Sequence, residues 1–227
     1  MAKRASYAAR RRPALTRERV LRAAIGLADR RGIGSLSMRN LGQRLGVEAM
    51  SLYNHVRSKE DMLDGMVDIV FGEIDLPTSG DDWRTAMGKR AISLHQVLLR
   101  HPWANGLMES RLTPGPANLR HHDAVLASLR RASFSVETAS HAYSVLDSYI
   151  YGFTLTEATL PFRKPGEVAE VAATIMEGFR AGEYPYLAEM AVDRVMKPGY
   201  RYGVEFEYGL DLILDGIERA QKRILTA

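Results

Sequence analysis

The chain has 227 residues and a mass of 25.3 kDa, with 46% of residues hydrophobic and 26% charged. That is enough apolar sequence for a core, but no run approaches the roughly 20 apolar residues of a membrane-crossing helix, and the basic first dozen residues lack a secretory signal's apolar stretch. With no cysteine, disulfide scaffolds, thiol catalysis and thiolate-bound zinc are excluded. The net charge of +4 conceals an asymmetry: residues 1–60 carry 14 Lys and Arg against 4 Asp and Glu, a charge of +10, and the remainder carries −6. A basic head on an acidic body directs the head to a polyanion.

Residues 1–15 read as a basic, flexible arm with Lys3, Arg4, Arg10, Arg11 and Arg12; with Arg17 it either tracks phosphates and the minor groove or is a tail that raises non-specific affinity. From Thr16, an N-cap, Val20, Ala24 and Leu27 recur at the spacing of one helix face, and Gly32 and Gly34 end the helix. Ser37 caps a short second helix with Met38, Leu41 and Leu45 on its apolar side, which Gly46 breaks. A third short helix follows from Ala49 to His55. Ser58 caps a fourth, with Met62, Met66 and Ile69 on one side. Asp75 to Asp82 is a loop. Longer helices then run from Trp83 to Arg100, from Pro116 to Ala132 and from Val136 to Leu160, with a short one opened by Pro102. The turn Pro161–Pro165 precedes helices near Gly166–Phe179, Pro185–Val195 and Gly203–Ile224. No segment alternates as a strand would, so the fold class is all-α with about ten helices.

Two short helices joined by a Gly-containing turn on a basic background form a helix-turn-helix candidate. The second helix must be small-sided at its start to approach base edges, and Glu48, Ala49, Met50 and Ser51 stand there. Tyr53, His55 and Lys59 are available to hold phosphates, although Tyr53 packing on the first helix, or His55 acting as a helix-terminal cation, is the alternative. The string GIGSLSMRNLGQRLGVEAMSLYNHVRSKEDML (Gly32–Leu63) resembles the DNA-binding domain of the TetR family of bacterial transcriptional regulators. The resemblance rests on Ser37-Met38-Arg39, Leu41, Leu45-Gly46-Val47, Ser51-Leu52-Tyr53, His55-Val56, Ser58-Lys59 and Leu63. It implies that Ser37 and Arg39 touch backbone or base, that Ala49, Met50 and Ser51 face bases, and that Tyr53, His55 and Lys59 bind phosphate. Gly42 stands where the family usually has Ala, at a local helix cost of up to about 1 kcal/mol.

The body has no HExxH, GxSxG or Gly-rich phosphate loop, so nothing marks it as an enzyme. His121-His122, about 100° apart on a helix, make a poor metal clip and read as a surface pair. The segments Leu146–Phe162 and Glu205–Glu218 resemble the C-terminal domain of tetracycline-repressor-type members, which implies a homodimer and an inducer pocket in this domain. Small residues at Ser144, Ser148 and Gly152, and Gly209 and Gly216 beside Leu210, Ile213 and Ile217, supply faces for a four-helix dimer seam; packing within one subunit is the alternative. Leu94, Trp103, Leu107 and Met108, with the polar line Tyr143–Asp147–Tyr151, supply an apolar pocket with a few convergent polar groups. The alternative is ordinary core with Asp147 paired to an Arg. Met108 and Asp75 fall where tetracycline repressors place their magnesium-linked histidines, and a thioether suits a hard cation poorly. No metal or cofactor is therefore expected, and the ligand is an uncharged or cationic, partly aromatic molecule.

These readings define a DNA-binding domain over 16–60 and a ligand-binding and dimerisation domain over 61–227. The function they imply is that of a homodimeric cytoplasmic repressor released from operator DNA by a small-molecule inducer, with no membrane partner. A small-molecule-modifying enzyme with a helical body and a ligand-free architectural DNA-binding protein are the rival classes.

Overall fold

The structure, a computed structural model, describes residues 14–78, 80–162, 165–179 and 182–225. The arm residues Lys3, Arg4, Arg10, Arg11 and Arg12, and the Arg163–Lys164 part of the expected turn, lie outside the described residues. Among the described residues the elements are helices, with no strand. The chain divides into two compact units between Met66 and Val67, within a helix.

The first unit contains α1 (Arg17–Arg31), α2 (Met38–Leu45), a 3-10 helix (Ala49–Asn54) and the first turns of α3 (Lys59–Phe71). The Thr16 hydroxyl accepts from the Arg19 amide at 3.2 Å to open α1, and Ser37 does the same for the Asn40 amide at 3.2 Å to open α2. Gly46, at φ +68°, ends α2 in the left-handed region where glycine carries no steric penalty. Val20, Leu21, Ala24, Leu27, Leu41, Leu52, Val56, Met62 and Met66 are buried and form one core. Gly42 has a packing reason that sequence alone does not give. A Cβ there would lie 2.8 Å from the Val47 carbonyl oxygen and 3.2 Å from the Ala49 Cα, so glycine lets the chain after the turn lie close against α2.

The second unit continues α3 and adds α4 (Trp83–Arg100), α5 (Asn105–Met108), α6 (Pro116–Arg131), α7 (Val136–Thr159), α8 (Pro165–Glu177), α9 (Pro185–Met190) and α10 (Val204–Leu225). A 3-10 turn at Pro102–Ala104 leads into α5, and α9 passes into a π-helical turn, Ala191–Val195. Asp82 caps α4 and Ser135 caps α7, each through its side-chain oxygen. α4 is central, packed on α6, α7 and α10. Its buried Met87, Ala91, Leu94 and Leu98 meet a core that includes Val125 and Leu129 of α6, Leu146 and Ile150 of α7, and Phe206, Leu210 and Leu214 of α10. At the rim, Arg84 of α4 pairs with Asp215 of α10 at 2.8 Å.

Candidate nucleic-acid interface and effector site

In the first unit an ion pair fixes the frame. Arg17 donates to both carboxylate oxygens of Asp61, at 2.8 and 2.9 Å, and its guanidinium also reaches the His55 carbonyl oxygen at 3.1 Å. Asp61 further accepts from the Arg57 amide at 2.8 Å. The hydrogen bonds from Arg17 hold the Asp61 carboxyl below its ordinary pKa. Arg17 was read with the basic arm; here it clamps the start of α1 to α3 and to the end of the 3-10 helix.

On this frame the expected DNA-facing residues are displayed unequally. Arg39 on α2, Tyr53 on the 3-10 helix and Lys59 at the start of α3 are exposed, and Met50 is 75% exposed; Ala49, Ser51 and His55 are half-buried. The recognition element is a 3-10 helix rather than an α-helix, so its side chains advance by three residues per turn and Met50 and Tyr53 share a face. The two serines differ in what they retain. Ser37 accepts from the Asn40 amide and keeps its O–H as a donor; Ser51 donates to the Glu48 carbonyl at 2.7 Å and keeps only acceptor capacity.

In the second unit the polar line of α7 meets an Arg, as the alternative reading of Asp147 had it; the sequence reading did not single out Arg90 or join His121 to the pair. Asp147 is buried and paired through Oδ1 with Nη1 of Arg90, itself 1% exposed. The Nε–H of Arg90 donates to Nε2 of His121 at 3.2 Å, and His121 is wholly buried. The reading of His121-His122 as a surface pair is thus corrected: α6 turns His121 into the core, and His122 is half-buried with its Nδ1 2.5 Å from the Tyr143 hydroxyl. Tyr151 donates to Glu109 at 2.9 Å. Burial, then the charge of Asp147, raises the pKa values of Tyr143 and Tyr151, so both phenols stay neutral. Burial, then the Arg90 charge, lowers His121 to about 3. Burial opposes the charge on Arg90, but Asp147 outweighs it and keeps the guanidinium protonated. Arg90 was legible in principle: it lies one residue before Ala91 in the stripe Met87, Ala91, Leu94, Leu98, inside the buried face.

Of the apolar candidates, Leu94, Trp103 and Met108 are buried and Leu107 is half-buried. A cavity of about 460 Å³ is lined by Arg90, Asp75, Lys89 and Ser93 among others. A second, of about 500 Å³, is lined chiefly by apolar side chains of α8, α9 and the π-helical turn, including Val171, Ile175, Leu187 and Met190. None of the seven expected pocket residues lines either of them.

The expected seam residues divide between two faces. Ser144, Ser148 and Gly152 of α7 are exposed, and nothing lies within 4 Å of a Cβ built on Gly152 or Gly216. Ile213 and Gly216 line an open apolar groove with Val145. Leu210 and Ile217 are buried within the subunit. Gly209 makes room for Tyr149, whose hydroxyl would lie 2.2 Å from a Cβ there and which donates to the Phe206 carbonyl at 2.9 Å. Leu210 and Gly209 therefore serve α10's contacts inside its own subunit, while Ile217, though 8% exposed, lines the same groove as Ile213 and Gly216; the apolar face of α10 is wide enough to turn one edge inward and one outward.

Comparison with known proteins agrees with this arrangement. Residues 20–66 match the model of the tetR family of bacterial regulatory proteins, and residues 76–221 match that of the tetracyclin repressor-like C-terminal domain. The chain belongs to the TetR family: it is a DNA-binding transcriptional regulator of the class that acts as a dimer on operator DNA and responds to small molecules. Among its relatives, an HTH-type transcriptional regulator of Saccharopolyspora erythraea is 39% identical over 182 residues, covering 79% of this chain and 76% of that protein. The HTH-type transcriptional repressor DrrR1 of Streptomyces coeruleorubidus is 30% identical over 220 residues, covering 91% and 78%. The structure of ActR from Streptomyces coelicolor in complex with actinorhodin superposes with a TM-score of 0.75 at 25% identity, covering 92% of this chain and 98% of that one.

Proposed function

We propose that this chain is a cytoplasmic homodimeric repressor. Its DNA-reading side chains are Arg39, Ala49, Met50 and Ser51, and its phosphate contacts are Ser37, Tyr53, His55 and Lys59. The observation that carries the assignment is the contrast within the first unit: the Arg17–Asp61 clamp and a closed core hold a short element whose outward side chains make no core. Ser37, with a donor left over, suits a phosphate oxygen; Ser51, with only an acceptor left over, suits the amino group of adenine or cytosine. Met50 and Ala49 add apolar contact with thymine methyls. A dimer seam on the outward faces of α7 and α10, through Ser144, Ser148, Gly152, Ile213 and Gly216, would set the spacing of the two recognition elements at one helical turn of DNA, roughly 34–36 Å.

The effector site is assigned to the second unit around Asp147, Tyr143 and Tyr151, with Leu94, Trp103, Leu107 and Met108 as its apolar side. Relatives named as repressors support the direction of regulation. The test is selection of bound sequences from a random duplex library by the purified dimer, followed by titration at several salt concentrations. The expected result is a palindromic site bound at least a thousand-fold tighter than random duplex. Uniform weak binding to all duplexes would overturn the reading in favour of an architectural role.

A further inference from the structure

The Arg90–His121–Asp147 cluster is incompletely satisfied in a specific pattern. Arg90 Nη2, His121 Nδ1 and Asp147 Oδ2 are each buried without a hydrogen-bond partner among the described residues. Groups this deeply enclosed are normally paired, so three such atoms in one connected cluster call for a partner that the chain does not supply. Their polarity follows from the bonds already made. Arg90 can only donate, so the His121 Nε2 that receives its Nε–H is the acceptor nitrogen, and the ring proton sits on Nδ1. Arg90 Nη2 is a donor for the same reason, and Asp147 Oδ2, in a carboxylate paired with a guanidinium, is an acceptor. The vacant positions are therefore two donors and one acceptor.

Charge restricts the partner further. The guanidinium and the carboxylate cancel, His121 is neutral, and the flanking Tyr143 and Tyr151 are neutral phenols. An anionic ligand would meet Asp147 at close range and a cationic one would meet Arg90, each in surroundings where water screens little. The cluster also has an apolar wall, since the Phe71 ring lies 5.4 Å from the rings of both His121 and His122. We propose that this cluster is the polar anchor of the effector site and selects an uncharged group that accepts two hydrogen bonds and donates one, such as a carboxamide or lactam on an apolar body. The proposal rests on the effector site assigned above, narrows its ligand from uncharged or cationic to uncharged, and adds Arg90 and His121 as specificity-determining residues.

A matched set of probes on one ring tests it: benzamide, benzoate, benzylammonium and toluene, titrated into the full-length dimer by ligand-observed NMR and thermal shift up to 10 mM. Benzamide is expected to bind at least ten-fold tighter than each of the others. His121→Phe, which keeps an aromatic ring but removes both the Nδ1 donor and the Nε2 acceptor for Arg90, is expected to abolish the preference of benzamide over toluene. A tighter benzoate or benzylammonium, an unchanged preference in His121→Phe, or no binding by any probe overturns the proposal. Should that variant not fold, imidazole 15N NMR of the wild type decides: a neutral His121 protonated on Nδ1 whose resonance moves with benzamide supports the anchor, and an unprotonated Nδ1 or an unmoved resonance refutes it. These readouts use no DNA. Operator release by a charged compound would sink the anchor and leave the regulator reading intact, whereas a His121-dependent benzamide site in a protein without operator preference would do the reverse.

Discussion

Arg90 and Asp147 sit in the interior on two different helices, and each is tolerable there only because of the other. Removing one partner of such a pair strands a buried charge at a cost of about 3–5 kcal/mol, whereas replacing both with apolar residues of similar volume is close to neutral. Asp147→Leu is therefore expected to lower the melting temperature sharply, and adding Arg90→Met to it to restore most of the loss; thermal melts of the single and double variants check this. If the double variant is as unstable as the single, the pair is more than a compensated charge. His121 gives a pH signature. Its folded pKa, about 3, lies below the ordinary histidine value of 6.5, so the unfolded chain binds the proton first. Its contribution is complete above pH 6.5 and declines as pH falls toward 3, by up to about 1.4 kcal/mol per unit. Asp61, held low by Arg17, also contributes stability that is lost in acid, starting as pH falls through the ordinary value of 3.8 and continuing below it. His121→Phe should flatten the melting-temperature profile between pH 6 and 4.5; an unaltered slope there would contradict the assignment. Periodicity marks position 90 as buried, and the sequence offered an Arg as Asp147's partner, but neither says that the Arg is Arg90 nor that His121 joins them.

Short elements were the most legible part of the fold, because their ends are written in local chemistry. Thr16, Ser37 and Ser58 were read as caps, and each side-chain oxygen accepts an amide three residues on. Gly46 was read as a stop and adopts a positive φ. What the pattern did not give was the 3-10 geometry at Ala49–Asn54, since six residues are too few to show a period, nor which edge of α10 faces its own subunit. That edge is decided by Tyr149 and Phe206, partners distant in sequence. The division yields a prediction at the scale of the helix. Gly216→Glu and Ser148→Glu place charge on open surface and should shift the dimer toward monomer in sedimentation while leaving the far-ultraviolet spectrum unchanged. Leu210→Arg, at a site 4% exposed, should unfold the subunit instead. A folded, monomeric Leu210→Arg protein would return that residue to the seam.

At the scale of the whole chain, α3 is the element common to both compact units: Lys59 lies at its start and Asp68 and Phe71 near its end. Asp68 accepts from the Ala117 and Asn118 amides at 2.8 and 2.9 Å, capping the first turn of α6, the helix that carries His121. Gly115 makes this possible, because a Cβ there would lie 2.2 Å from the Asp68 carboxyl carbon. Gly115→Ala should therefore expel Asp68 from the cap, at a cost of about 1 kcal/mol. Coupling between sites cannot exceed the free energy that the linking element supplies. If α3 and α6 move as a linked pair, operator affinity should fall measurably, by up to about five-fold, because a loosened joint must be reordered on docking. The number of phosphates contacted should not change. Lys59→Ala offers the contrast, since losing one phosphate contact weakens binding to all sequences alike and reduces the salt slope by about 1. Titrating both variants across salt concentrations separates the two effects. Parallel lines displaced downward for Gly115→Ala, with a shallower line for Lys59→Ala, are expected. A folded Gly115→Ala protein with wild-type operator affinity would mean that α3 and α6 do not move as a linked pair. A changed salt slope in that variant would mean that the substitution had altered the reading surface itself.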